Sequence, residues 1–158
     1  MLLLTEKALS EHDVQRLAHL HDPDPVQMHL VVPSHDDRSE VAEAVDDISR
    51  ADFADALHDA EGGLSHRDLS SAAGRELAAS VDALRAAGVA KVDGEVCDGN
   101  PVDRTVHLAK ELGADEVVVL TEPHLIADWT RRDWASRLRH ALDLPVLHVV
   151  LGTDQVVS

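Results

Sequence analysis

Cysteine occurs once, at Cys97, so no disulfide can form within the chain, and the composition suits a reducing compartment. Aromatic residues are nearly absent, with two Trp, one Phe and no Tyr among 158 residues. Any core must therefore be built from Leu, Val, Ile and Ala. Positive charge is scarce: 14 Lys and Arg stand against 30 Asp and Glu, a net charge of −16, with lysine only at Lys7, Lys91 and Lys110. That balance argues against nucleic acid, where phosphate neutralisation supplies most of the affinity, and against an anionic membrane surface. Long apolar runs are missing too. Met1 to Leu4 is followed at once by Thr5-Glu6-Lys7, too short for a signal segment or a membrane span. The expected location is cytoplasmic. The chain is also too short for a β/α barrel of about 250 residues.

Motifs of catalysis are missing as well. There is no nucleophile elbow, Walker loop or dinucleotide glycine fingerprint. Eleven histidines invite a metal reading, but His19-Leu-His21 and His35-Asp-Asp37 lack the spacing of a ligand set, so no metal site is expected. Cys97 sits between Glu95 and Asp98, which disfavour a thiolate, and is expected to be structural.

What is present is an alternation of strand and helix signals. Leu2 to Leu4 is a short apolar run that suits a buried strand. Ser10, three residues before Asp13, makes a capping box for a helix carrying Val14, Leu17, Ala18 and Leu20. Asp22-Pro-Asp-Pro25 stops it. Residues 26–33 read as a second strand, and one helix between two apolar strands is the unit of a parallel sheet. A helix is expected over residues 39–60, ended by Gly62-Gly63. A second, capped by Ser70 or Ser71, carries Leu77, Ala78, Val81 and Leu84 and stops at Gly88. Lys91 to Cys97 alternates as a strand that suits an edge. Asp98-Gly-Asn-Pro101 turns the chain, with Pro101 in the first turn of a helix bearing Val102, Val106, Leu108, Ala109 and Leu112. Glu116 to Leu120 is the most strand-like run. After it, Asp128 or Thr130 can cap a helix in which Trp134, Leu138, Ala141 and Leu142 face the sheet. Val146 to Leu151 is the last strand and 152–158 a tail. Residues 1–158 are expected to form a single domain.

Gly99-Asn-Pro101 before a helix, Leu112-Gly-Ala-Asp115 leading into Val117 to Leu120, and Arg139-His-Ala141 followed by Pro145 to Val150 together resemble the universal stress protein family, within the adenine-nucleotide alpha-hydrolase-like group. The resemblance implies an α/β, three-layer, Rossmann-like open parallel five-stranded sheet of order 3-2-1-4-5, with helices on both faces. Strands one and four then meet at a topological switch point, where open α/β sheets bind ligands beyond the carboxyl ends of the strands. The crevice there would be lined by Thr5, Glu6, Pro33, His35, Thr121, Glu122 and His124, with Arg131 and Arg132 at the far wall. ATP-binding members carry Gly-x2-Gly-x9-Gly-Ser/Thr after strand four, and this chain has no glycine between Gly113 and Gly152. The last Gly-Ser pair of that pattern falls on Arg132-Asp133. ATP binding in the family manner is therefore not expected, no cofactor is expected, and adenine nucleotide is the one cofactor the resemblance leaves open.

Two classes of function follow. One is a non-catalytic binding or regulatory module, a homodimer joined through the apolar last strand, Val146 to Leu151, which would otherwise be a bare sheet edge. The other is a small enzyme or sensor acting on a nucleotide or other small anionic metabolite at the crevice, with His124, Glu122 or Arg131 in its chemistry. Fold alone does not choose between them.

Overall fold

The computed structural model describes residues 1–20, 26–34, 72–122, 134–154 and 156–157. The strands are β1 (Leu2–Thr5), β2 (Gln27–Pro33), β3 (Lys91–Cys97), β4 (Val117–Thr121), β5 (Val146–Val150) and β6 (Val156–Val157). The helices are α1 (Glu11–His19), α2 (Ala72–Ala86), α3 (Pro101–Glu111) and α4 (Trp134–Ala141). The helix expected over residues 39–60 and the caps at Asp128 or Thr130 lie outside the described residues.

β1 to β5 are parallel and take the order β3-β2-β1-β4-β5, as the resemblance implies. The tail contributes one further strand. β6 pairs antiparallel with β5, setting Val156 opposite Val149 and Val157 opposite His148. The last strand is therefore not a bare edge in this chain: Gly152, at φ +69°, turns the backbone back on itself, and the end of β5 is covered. β3 lies at the opposite edge, as its polar alternation suggests.

Side chains of successive strand residues point to opposite faces, and here both faces are apolar. On one face Leu3, Leu30, Val32, Val118, Leu120 and Val149 pack beneath α1 and α2, which contribute Val14 and Leu17, and Leu77, Val81 and Leu84. On the other, Leu2, Leu4, Val31, Val117 and Val119 pack beneath α3 and α4, which contribute Val102 and Leu108, and Trp134 and Leu138. Burying each such side chain contributes roughly 1.5–3 kcal/mol, so the apolar runs of β1 and β4, and Leu30 to Val32 of β2, fix these strands inside the sheet. The helix after β1 and the helix after β4 thus lie on opposite faces, which makes the β1/β4 boundary the switch point.

Capping follows the sequence. Ser10 and Asp13 form the expected box at α1. Asn100 caps α3 through Oδ1, which accepts from Val102 N–H at 3.0 Å, and Pro101 occupies the first turn. Two helix faces differ from expectation. Leu112 caps the end of α3 and is 50% exposed, while Thr105 takes a fully buried place, its hydroxyl donating to Pro101 O at 2.7 Å. A threonine that satisfies its own hydroxyl within the helix can be buried where a polar residue is not anticipated. In α4 the buried stripe is Trp134, Ala135, Leu138 and then Leu142, and Ala141 turns out toward α3 instead of the sheet. Among the described residues no helix is long and apolar enough to cross a membrane.

Candidate functional site

β1 and β4 run side by side in register from Leu2 with Val117 to Thr5 with Leu120, so both chains leave the sheet at one place. The exit from β1 is built tightly. The Thr5 hydroxyl is fully buried and donates to Lys7 O at 2.8 Å, which bends the backbone out of the strand. Glu6 N–H donates to Leu120 O at 3.3 Å, extending the ladder by one step. The Glu6 side chain, 8% exposed, then reaches over the end of β4, where Oε2 accepts from Glu122 N–H at 3.2 Å. Lys7 closes the arrangement, its Nζ lying 2.6 Å from Glu122 Oε1. The first backbone N–H beyond β4 is thus held by the chain's own carboxylate.

Thr121, on the neighbouring position, is within hydrogen-bond distance of His148 on β5, Oγ1 to Nε2 at 2.9 Å. Pro33 ends β2 opposite Cys97, and the next residue, Ser34, donates its N–H to Cys97 O at 2.9 Å. Of the expected crevice residues, Thr5, Glu6, Thr121 and Glu122 are brought together at the β1/β4 boundary, and Pro33 stands at the end of the adjoining strand. His35, His124, Arg131 and Arg132 lie outside the described residues. Lys7 and His148 were not among the expected residues. Lys7 could have been found as a cation placed one residue beyond a strand-end carboxylate. His148 could have been found as the one polar side chain inside an otherwise apolar strand.

The electrostatics of this corner are acidic. Two carboxylates, Glu6 and Glu122, meet one ammonium, Lys7, so the described part of the crevice carries a formal excess of negative charge. Among the described residues no group of three or more His, Cys, Asp and Glu could hold a metal ion. Cys97 is buried at the end of β3. Burial, helped by the Glu95 carboxylate, pushes its thiol above the ordinary value near 9.0, so it stays protonated at neutral pH. Glu95 itself is gripped by the Arg104 guanidinium through both oxygens, which ties α3 to β3 beside the thiol. A separate groove of about 500 Å³ lies between α3 and α4, on the outer side of the helix layer and apart from this crevice.

No protein-family model matches the sequence, and no curated protein matches it. Solved structures match the fold. The chain is similar to a universal stress protein in complex with cAMP, with a TM-score of 0.56 and 18% identity over 94% of each chain. It is also similar to the universal stress protein from Archaeoglobus fulgidus in complex with dAMP, with a TM-score of 0.50 and 16% identity over 95% of each chain. A further structure of the Archaeoglobus fulgidus protein matches at a TM-score of 0.50 and 16% identity, over 95% of this chain and 91% of that one. The fold of this chain is the universal stress protein fold.

Proposed function

We propose that this chain is a divergent universal stress protein, a non-catalytic binding or regulatory module that does not bind ATP in the family manner. The observation that carries the reading is the bond from Glu122 N–H to Glu6 Oε2. A phosphate loop works by presenting free backbone N–H groups to an anion. Here the first such group after β4 already serves a buried carboxylate, and Glu122 adds a second negative charge beside it. Like charges at close range oppose a polyphosphate, and the low local dielectric of a buried corner strengthens that opposition. The absence of glycine from 114 to 151 supports the same reading, because Cβ atoms keep the backbone away from a phosphate.

A second reading keeps an adenine mononucleotide at this crevice. It is favoured by the similar structures, which are complexes with cAMP and dAMP. A monophosphate brings less charge to the acidic corner than ATP does. Catalysis on such a ligand, by a small enzyme or sensor, is the least supported version, since Lys7, Thr121 and Glu122 of the described corner are already engaged with protein groups.

Thermal unfolding with millimolar ATP, AMP and cAMP separates these readings. A ligand at about a hundred times its Kd stabilises by about 2.7 kcal/mol, a rise of roughly 5–11 °C for a chain of this size. The expected result is no rise with ATP. A rise with AMP or cAMP alone selects the second reading, and a rise of several degrees with ATP would sink the first.

The module is proposed to act as a homodimer joined on the β5 side of the sheet. β6 pairs only with His148 and Val149 of β5 among the described residues, and the outer side of β6 still presents backbone groups for pairing. Sedimentation velocity at micromolar concentration should show a species of twice the chain mass. A single species of one chain mass across that range would rule the dimer out.

A further inference from the structure

The groove between α3 and α4 has a composition unlike the rest of this acidic chain. Its floor is apolar, formed by Val102 and Val106 of α3 and Ala141 of α4. Its walls carry Lys110 from one helix and Arg137 and His140 from the other. Among the described residues, Lys110 and Arg137 have no carboxylate partner, whereas Lys7, Arg85 and Arg104 are each paired with one. Two groups at the lip qualify the charge count. Asp103 faces the groove, and His107 is engaged with Glu111 at 3.6 Å on the same helix. Among the described residues the lining still holds two fixed cations against one carboxylate, in a protein whose net charge is −16.

From this juxtaposition we infer that the α3/α4 groove is a binding site for a small amphiphilic anion, a phosphate or carboxylate carried on an apolar body. The two features are needed together. Cations from both helices line the same groove, and guanidinium recognises phosphate and carboxylate by paired N–H bonds. The apolar floor receives the body. A volume of about 500 Å³ matches the size class of small-molecule sites. The overall negative charge does not forbid this, because at physiological salt charges beyond about 8 Å are largely screened and the nearby cations dominate. The site is separate from the β1/β4 crevice, so the inference does not depend on whether that crevice binds a nucleotide.

The test is a titration of the full chain with phenyl phosphate, followed by amide chemical shifts. Inorganic phosphate and benzyl alcohol serve as the probes that carry only charge or only the apolar body. The expected result is saturable shifts confined to residues 102–110 and 137–141, with both partial probes weaker. In the double variant Lys110→Ala, Arg137→Ala the affinity should fall about tenfold or more while the amides of the sheet keep their positions. Both side chains are exposed, so the variant is expected to fold. Several outcomes overturn the site: no saturable shift, an undiminished response in the double variant, an equal response to benzyl alcohol, or shifts only at the ends of β1 and β4. Shifts in α3 and α4 that grow with protein concentration alone, without probe, would overturn it too, since they would mark the groove as a contact between copies of the chain.

Discussion

Replacing Gly94 by valine should destabilise the protein by about 3 kcal/mol or more, lowering the melting temperature by roughly 6–12 °C. Two effects of opposite sign compete at this position. Gly94 lies inside β3, where a β-branched residue is intrinsically preferred and glycine carries an entropic penalty, so propensity alone favours valine by up to about 1 kcal/mol. Space decides against it. A Cβ at Gly94 would lie 2.6 Å from Leu30 O, 2.8 Å from Leu77 Cδ1 and 2.9 Å from Leu30 Cβ. Leu77 could rotate, but Leu30 O belongs to the backbone of β2, which is in register with β3 from Gln27 with Lys91 to Pro33 with Cys97. Relief would require moving one strand away from the other, or lifting α2 off the sheet where Leu77 and Leu84 are fully buried. Even alanine brings the first clash, so Gly94→Ala should lie between the wild type and valine. Urea unfolding of the three proteins checks the order. A valine variant as stable as the wild type would show that β2 and β3 do not approach each other this closely.

The same residue shows where the sequence stops being legible. A glycine inside a strand pattern signals close backbone approach, yet nothing local says which neighbour approaches. The apolar runs at Leu2 to Leu4 and Val117 to Leu120 revealed central strands, because burial on both faces leaves no polar residue to interrupt them. Ser10 with Asp13, and Pro101 in a first turn, revealed helix starts because these signals are chemistry between residues close in the chain. Contacts between distant residues were not legible. Val156 and Val157 are too few to show alternation, so β6 looked like a tail. Thr5, Glu6, Thr121 and Glu122 lie together at the switch point that the resemblance implies. Their bonding to one another was not foreseen, since Glu6 and Glu122 are 116 residues apart. The α3/α4 groove was hidden for a like reason: Lys110 and Arg137 are 27 positions apart in the sequence, and only the packing of two helices brings them to one groove.

Asp13→Ala should destabilise the protein by about 2–3 kcal/mol and should loosen the carboxyl-terminal hairpin before the rest of the fold. Asp13 is 1% exposed although it is a carboxylate, and its oxygens face two ways. Oδ2 accepts from Ser10 N–H at 3.0 Å and from the Ser10 hydroxyl at 2.6 Å, closing the box at the start of α1. Oδ1 accepts from Gly152 N–H at 2.9 Å, in the turn between β5 and β6. Hydrogen bonds to a charged group contribute about 1.5–3 kcal/mol each, and a negative charge at a helix start adds about 0.3–1 kcal/mol. The simple sum overstates the loss, because Ser10 and Gly152 are exposed and water can replace their partner once the carboxylate is gone. The other ties from α1 cannot hold the turn alone. Arg16 donates to Thr153 O at 3.0 Å, while His12 and Asp154, 3.0 Å apart, form a largely exposed pair of little weight. β6 itself has only two paired positions. Asp13→Asn keeps one oxygen to accept either from Ser10 or from Gly152, so its loss should be about half that of alanine. Hydrogen exchange supplies the second readout. In the alanine variant the amides of Gly152 and Val156 should exchange faster by more than the global loss of stability accounts for, while those of β1 and β4 follow the global change. Uniform acceleration across the sheet would mean that Asp13 supports α1 alone and that the hairpin is held in place by other contacts.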